Sequence, residues 1–199
     1  MIKVKKILAI IGGIRNIIPL LCLYIDSELR KITFSDIKRA DYQCTYSKSE
    51  SYVFFNYLLI YDKCYRNIFY FRLKKKHIIA YYCSQIFLPM KKDMELWGDV
   101  AEGLRVFHGH GTVIVCNRAG KNLDIYQGVT VGKNDRQDSE KNSSGTPIIG
   151  NNVSIYTNAV VVGNITIGNN VKIGAGAIVT KSVPDNCTVV GNPMKIIEH

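Results

Sequence analysis

A six-residue period constrains what this chain can fold into more than any other feature of it. Hexads begin at Arg105, Gly111, Asn117, Leu123 and Val129, pause, and resume in the same frame at Pro147, Val153, Ala159, Ile165, Val171, Ala177 and Val183. The third residue of each of the first eleven is apolar: Phe107, Val113, Ala119, Ile125, Val131, Ile149, Ile155, Val161, Ile167, Ile173 and Val179. Positions one and three lie on the same side of an extended strand, while Gly and Asn recur at positions four and six, where the chain must turn. Each hexad therefore reads as one short strand and a corner. Three such sides close a coil of about 18 residues, and stacked coils bury aliphatic rows that no single repeat could bury alone. A β-sandwich has no reason to keep one frame across twelve hexads, so the pattern predicts a mainly β fold, a parallel β-helix over residues 93–199.

The pause carries information of its own. Residues 135–146, Asp-Arg-Gln-Asp-Ser-Glu-Lys-Asn-Ser-Ser-Gly-Thr, supply no core residue, yet the frame survives them. They are expected to leave the coil at a corner as a polar loop. Such loops on rigid scaffolds are places where binding residues gather, and a tolerated insertion is the other reading.

Residues 1–92 have a different texture and predict a small α-helical N-terminal region. Between residues 52 and 77, Phe54, Leu58, Tyr61, Tyr65, Ile68 and Phe69 recur at helical spacing, which predicts one long helix. Ser35 is the expected cap of a short helix beginning Asp36-Ile37-Lys38, and Pro89 ends the helical territory. This region holds 17 Lys and Arg against 6 Asp and Glu, net +11, whereas residues 93–199 hold 9 against 10, net −1. Together with an apolar run over residues 7–25, broken by Arg15, Asn16 and Pro19, the charge suggests peripheral contact with an anionic membrane rather than nucleic acid. A solvated basic helix face is the alternative for the charge, and packing on the body is the other reading of the run. No small-residue cleavage site follows it, so the expected location is cytoplasmic, with a peripheral place at the inner membrane face. The six cysteines never form C-x-x-C, which argues against a zinc site or redox pair and for reduced thiols.

From about residue 50 onward the chain resembles the hexapeptide-repeat acyltransferases, and within them the serine acetyltransferase-like branch that includes many cell-surface polysaccharide O-acetyltransferases. The resemblance is carried by Gly103-Leu104-Arg105-Val106-Phe107-His108-Gly109, Gln127-Gly128-Val129-Thr130-Val131-Gly132, Pro147-Ile148-Ile149-Gly150-Asn151-Asn152-Val153 and the ending Val190-Gly191-Asn192-Pro193. It implies a left-handed parallel β-helix, a homotrimer, and acetyl-CoA as co-substrate in the groove between subunits, with no metal required. It also implies a histidine acting on the acceptor hydroxyl, and that histidine matches His108. A hydroxyl attacking a thioester must lose its proton, and imidazole can accept it near neutral pH without a covalent acyl-enzyme. Asp93, fifteen residues earlier, matches the carboxylate that orients this histidine.

His110 is the rival base, and an ordinary surface acid is the rival reading of Asp93. Tyr126, eighteen residues after His108, is expected one coil away on the same face, where its ring lines the site or simply packs. The resemblance places the pantetheine arm near Asn158-Ala159 and Ala177, with small residues permitting its approach, and Lys181 near a phosphate. A solvated lysine is the competing reading of Lys181. Gly174-x-Gly176 is a hexad corner rather than a dinucleotide motif, and Cys116 and Cys187 read as structural. Two departures bear on the acceptor. Phe107 stands where serine acetyltransferases have an aspartate, and Gly145-Thr146 stands where they have Arg-His. A zwitterion would lose both charged anchors, so the expected acceptor is a sugar or glycan hydroxyl, with serine as the alternative and a non-catalytic scaffold as a third reading.

Overall fold

Parallel rungs stack throughout the second of the two units into which the chain divides, Met1–Lys91 and Lys92–His199. The computed structural model describes residues 12–40, 48–134 and 145–199. Among the described residues the second unit is a β-helix of thirteen strands: β1 (Met94–Val100), β2 (Arg105–Val106), β3 (Thr112–Ala119), β4 (Asp124–Ile125), β5 (Thr130–Gly132), β6 (Ile148–Ile149), β7 (Ser154–Ile155), β8 (Val160–Val162), β9 (Thr166–Ile167), β10 (Lys172–Ile173), β11 (Ile178–Val179), β12 (Cys187–Val190) and β13 (Lys195–Glu198). One side stacks β2, β4, β7, β10 and β12 in order, and β13 closes that side by pairing antiparallel with β12. A second stacks β3, β5, β8 and β11, and a third stacks β3, β6 and β9. β3 serves two sides because it runs through a corner, and β1 lies over both of its halves.

The interior is what the period demands. Ile125, Ile155 and Ile173 sit on successive rungs of the first side, and Val131, Val161 and Val179 on those of the second, each with no solvent exposure. Burying such a side chain is worth about 1.5–3 kcal/mol. Asparagines line one outer corner: Asn122 donates to Asn152, Asn152 to Asn170 and Asn170 to Asn186, amide to amide at 2.9–3.0 Å, each with φ between 56° and 60°. A short amide side chain tolerates that left-handed backbone and satisfies itself from the rung below. Rungs on either side of residues 135–146 pair with Asp124 opposite Ser154, and the following ones with Ser154 opposite Lys172. The frame thus continues across the excursion, whose residues 135–144 lie outside those described.

The frame departs from its expected register in its first two hexads. Val106, not Phe107, pairs with buried Ile125, and Ile114, not Val113, pairs with Val131. Phe107 therefore faces outward and Val113 is only half-buried. Gly98 (φ 115°) marks a register irregularity between β1 and β3, and a Cβ there would lie 2.0 Å from the Cys116 carbonyl oxygen.

The first unit holds, among the described residues, a 3-10 turn (Gly13–Asn16) and helices α1 (Ile17–Ile25), α2 (Ser27–Ala40), α3 (Lys48–Tyr61), α4 (Lys63–Lys76) and α5 (Ile78–Phe87). The apolar run begins at residues 7–11, which lie outside those described. The expected single helix is two, because Asp62 adopts an extended backbone and its carboxylate accepts from the Cys64 and Tyr65 N–H groups as the cap of α4. Ser35 caps nothing. α2 starts eight residues earlier in the chain, where Asp26 accepts from Leu29 N–H at 2.8 Å, and Asp36 is buried mid-helix in an ion pair with Arg72 at 3.1 Å. Arg66 is buried with its guanidinium on the carbonyls of Ile60 (2.6 Å) and Pro89 (2.9 Å). Burial pushes the Tyr70 hydroxyl up to about 12 while it donates to Leu88 O at 2.9 Å. The core between these helices is aromatic, with Phe55 and Phe69 in edge contact at 4.9 Å.

Candidate active site

Four residues, His108-Gly109-His110-Gly111, turn the chain from the outward-facing Phe107 into β3. Six positions separate Val106 from buried Thr112 here, whereas four separate Ile125 from Val129 at the same corner one coil on. The two additional residues lift this corner off the coil. His108 (φ 61°), Gly109 (φ 53°) and Gly111 (φ 60°) all take left-handed backbone. Gly109 N–H donates to Phe107 O at 2.7 Å, closing a three-residue turn centred on His108. The five other described non-glycine residues with positive φ are all asparagine. His108 is the one described residue other than glycine and asparagine that takes this sparsely populated backbone.

Asp93, just before β1, brings its carboxylate to 3.2 Å from His110 Nδ1, with both side chains exposed. The backbone locks this arrangement to its neighbours: Thr112 N–H donates to Asp93 O at 3.3 Å, and Gly128 N–H to His110 O at 2.8 Å. On the outer face of the same coil Arg105 grips Asp124 with two bonds of 2.8 and 3.0 Å, and its guanidinium lies 4.5 Å from the Phe107 ring centre. Phe107 stacks on Tyr126 at 4.3 Å, and Tyr126 leans on Tyr156 at 5.0 Å. Tyr126 meets Phe107 rather than His108 because this coil is nineteen residues long, Arg105 standing opposite Asp124.

The corners below form one edge with the histidines. Gly128 N–H donates to His110 O, Asn158 N–H to Gln127 O, and Gly176 N–H to Thr157 O. Asn158 (φ 59°) is exposed on this edge. Ala159 and Ala177 adjoin it, but both are wholly buried in the coil. At hexad position one their small side chains fill the interior. The exposed small residues on the edge are Ala175 and Gly176, and a Cβ on Gly176 would meet nothing within 4 Å. The run Gly174-Ala175-Gly176-Ala177 was the available signal for them. Lys181 is exposed at the next corner, between the side of β11 and that of Val183. One chain thus gathers Asp93, His108, His110, Tyr126 and Asn158 along an edge and holds Lys181 apart. Cys116 and Cys187 are buried thiols outside any disulfide. Among the described residues no three His, Cys, Asp or Glu side chains gather as a metal site.

Residues 146–181 match the family model described as bacterial transferase hexapeptide (six repeats). A serine acetyltransferase of Staphylococcus xylosus is 40% identical over 129 residues, 63% of this chain and 57% of the relative. Over these stretches the chain is similar to hexapeptide-repeat acyltransferases. A Staphylococcus aureus serine acetyltransferase is 38% identical over 129 residues, 63% of this chain and 58% of its own. This hexapeptide-repeat chain thus spans less than two thirds of the length of these curated relatives. Among solved structures, the Neisseria gonorrhoeae serine acetyltransferase in complex with serine superposes with TM-score 0.62 at 28% identity, covering 88% of this chain and 71% of that one. The Brucella abortus serine acetyltransferase in complex with coenzyme A gives 0.60 at 28%, covering 90% and 71%. These relatives overturn the expectation of a glycan acceptor. That expectation weighed only Phe107 and Gly145-Thr146, whereas the similarity to the serine acetyltransferases runs over 129 residues.

Proposed function

We propose that this chain transfers the acetyl group of acetyl-CoA to the hydroxyl of serine. The observation that carries the reading is His108 itself, held in left-handed backbone at a lengthened corner, on a fold shared with serine acetyltransferases solved with serine and with coenzyme A. His108 accepts the hydroxyl proton as the oxygen attacks the thioester carbonyl. The tetrahedral intermediate then expels the coenzyme A thiolate, which takes the proton back from the imidazolium, leaving O-acetylserine and free thiol. Backbone N–H groups of the glycine-rich turn are candidates for meeting the oxyanion. Asp93 acts here as a positioning residue, its contact with His110 fixing one ring of the corner that carries His108. Ala175 and Gly176 leave the edge open for the pantetheine arm beside Asn158, and Lys181 meets a phosphate across a subunit boundary in a homotrimer.

A cytoplasmic place follows from the two substrates, and among the described residues no helix is long and apolar enough to cross a membrane. Thiol release from acetyl-CoA, measured with serine, sugars and no acceptor, tests the reading. Serine should accelerate release and yield O-acetylserine, and release that no acceptor stimulates would overturn it.

A further inference from the structure

Helices α1 and α5 leave apolar stripes uncovered. Ile14, Ile17, Leu21 and Ile25 follow helical spacing through the 3-10 turn and α1, each more than half exposed. On α5, Ile79, Tyr82 and Ile86 repeat the spacing and are 61–78% exposed. Neither helix contains a charged residue, and the only buried side chain of α5 is Ser84. The two helices pack together, and a groove of about 520 Å³ between them is lined by Ile18, Ile78, Ile79 and Cys83 with Lys76 and His77 at its border. Contiguous exposed apolar surface of this kind marks a docking site rather than ordinary surface.

The charge around it selects the occupant. α4 ends in Lys74, Lys75 and Lys76 directly before α5, and Arg15 is exposed just before α1. Lys76 is held by Asp26 and Glu28, Lys74 lies over Tyr81 at 5.6 Å, and Lys75 over Phe71 at 5.0 Å. Residues 1–92 carry 17 basic against 6 acidic side chains. A second copy would bring an equal positive charge against this face, whereas an anionic lipid surface complements it. We propose that α1 and α5 form a membrane-docking face that seats this unit in the headgroup region of an anionic bilayer. Helices of nine and ten residues are too short to span it, so they lie in the interface with their isoleucines inserted and the lysines at phosphate level.

The test is co-sedimentation of the full chain with vesicles, read without substrates so that it stands apart from acetyl transfer. One set is phosphatidylcholine alone, and the other contains about one-third phosphatidylglycerol. The wild type should partition onto the anionic set, lose that binding as salt rises, and leave neutral vesicles largely unbound. Ile79→Glu with Ile86→Glu, and separately Lys74→Gln with Lys75→Gln, should each weaken partition about tenfold or more. Both should retain the wild-type far-UV circular dichroism and thiol-release rate in vesicle-free buffer. No wild-type binding to anionic vesicles, or equal binding to both sets, would overturn the proposal. So would concentration-dependent self-association that the isoleucine variant abolishes, which would make a second copy the occupant. The lysine pair keeps the test decisive if the isoleucine variant does not fold.

Discussion

His108 occupies a backbone conformation that this chain otherwise fills, among its described non-glycine residues, with asparagine. Left-handed backbone costs an ordinary side chain roughly 1 kcal/mol relative to residues that tolerate it. His108→Asn should therefore leave stability unchanged or raised by up to about 1 kcal/mol, while turnover falls about a hundred- to ten-thousand-fold because an amide cannot take a proton. Urea melts and thiol release on the same samples measure both. His110→Asn removes an exposed contact with Asp93, so stability should move by less than about 1 kcal/mol and turnover by much less than in His108→Asn. If the two variants exchange these outcomes, His110 is the base. The histidine pair was legible in the sequence as two candidates, but which of them Asp93 touches was not. That depends on the two extra residues of the corner, which the six-residue count absorbed by treating Phe107 and Val113 as interior.

At the scale of elements, two carboxylates decide where helices begin. Asp62 divides what helical spacing alone reads as one helix, because a capped start at Cys64 and Tyr65 outweighs the continuity of the apolar pattern. Asp62→Ala should cost about 1 kcal/mol in chemical denaturation. Asp26 is held below the usual carboxylate range, first by the Leu29 N–H and then by His77 and Lys76, against the opposing effect of burial. A carboxyl lowered in the folded state contributes fully above its unfolded value, about 3.9, and the contribution disappears as pH falls through the folded value. Asp26→Asn keeps a cap acceptor and removes the charge. Its urea midpoint should lie below wild type at pH 7 and converge with it below about pH 4. In the β-helix, Ile155 lies between Ile125 and Ile173 with no exposure. Ile155→Ala should cost about 2–5 kcal/mol, since neighbouring rungs are held by backbone bonds and cannot collapse into the space.

For the whole molecule, the placement of Lys181 on a different edge from His108 makes a specific demand. If the proposed cofactor site uses both, a neighbouring subunit must supply one of them, so sedimentation at micromolar concentration should show a trimer, and a monomer with full activity would remove the shared site. The β-helix could be read from sequence because its determinant is local and repeated: each hexad carries its own strand, corner and inward pair, so twelve repetitions of one frame outvote any irregular member. The N-terminal helices were legible only as helical territory, because their boundaries rest on Asp26 and Asp62 caps and on the buried Asp36–Arg72 pair, contacts that no periodicity encodes. Composition alone determined that residues 1–92 are basic and apolar at once. Only the tertiary structure decided that Ala159 and Ala177 face inward while Ala175 and Gly176 face out, that Phe107 stacks on Tyr126, and that α1 and α5 share one uncovered face. Each of those outcomes is set by which neighbours the coil or the helix packing brings within reach, and a one-residue change of register at a corner exchanges inside for outside.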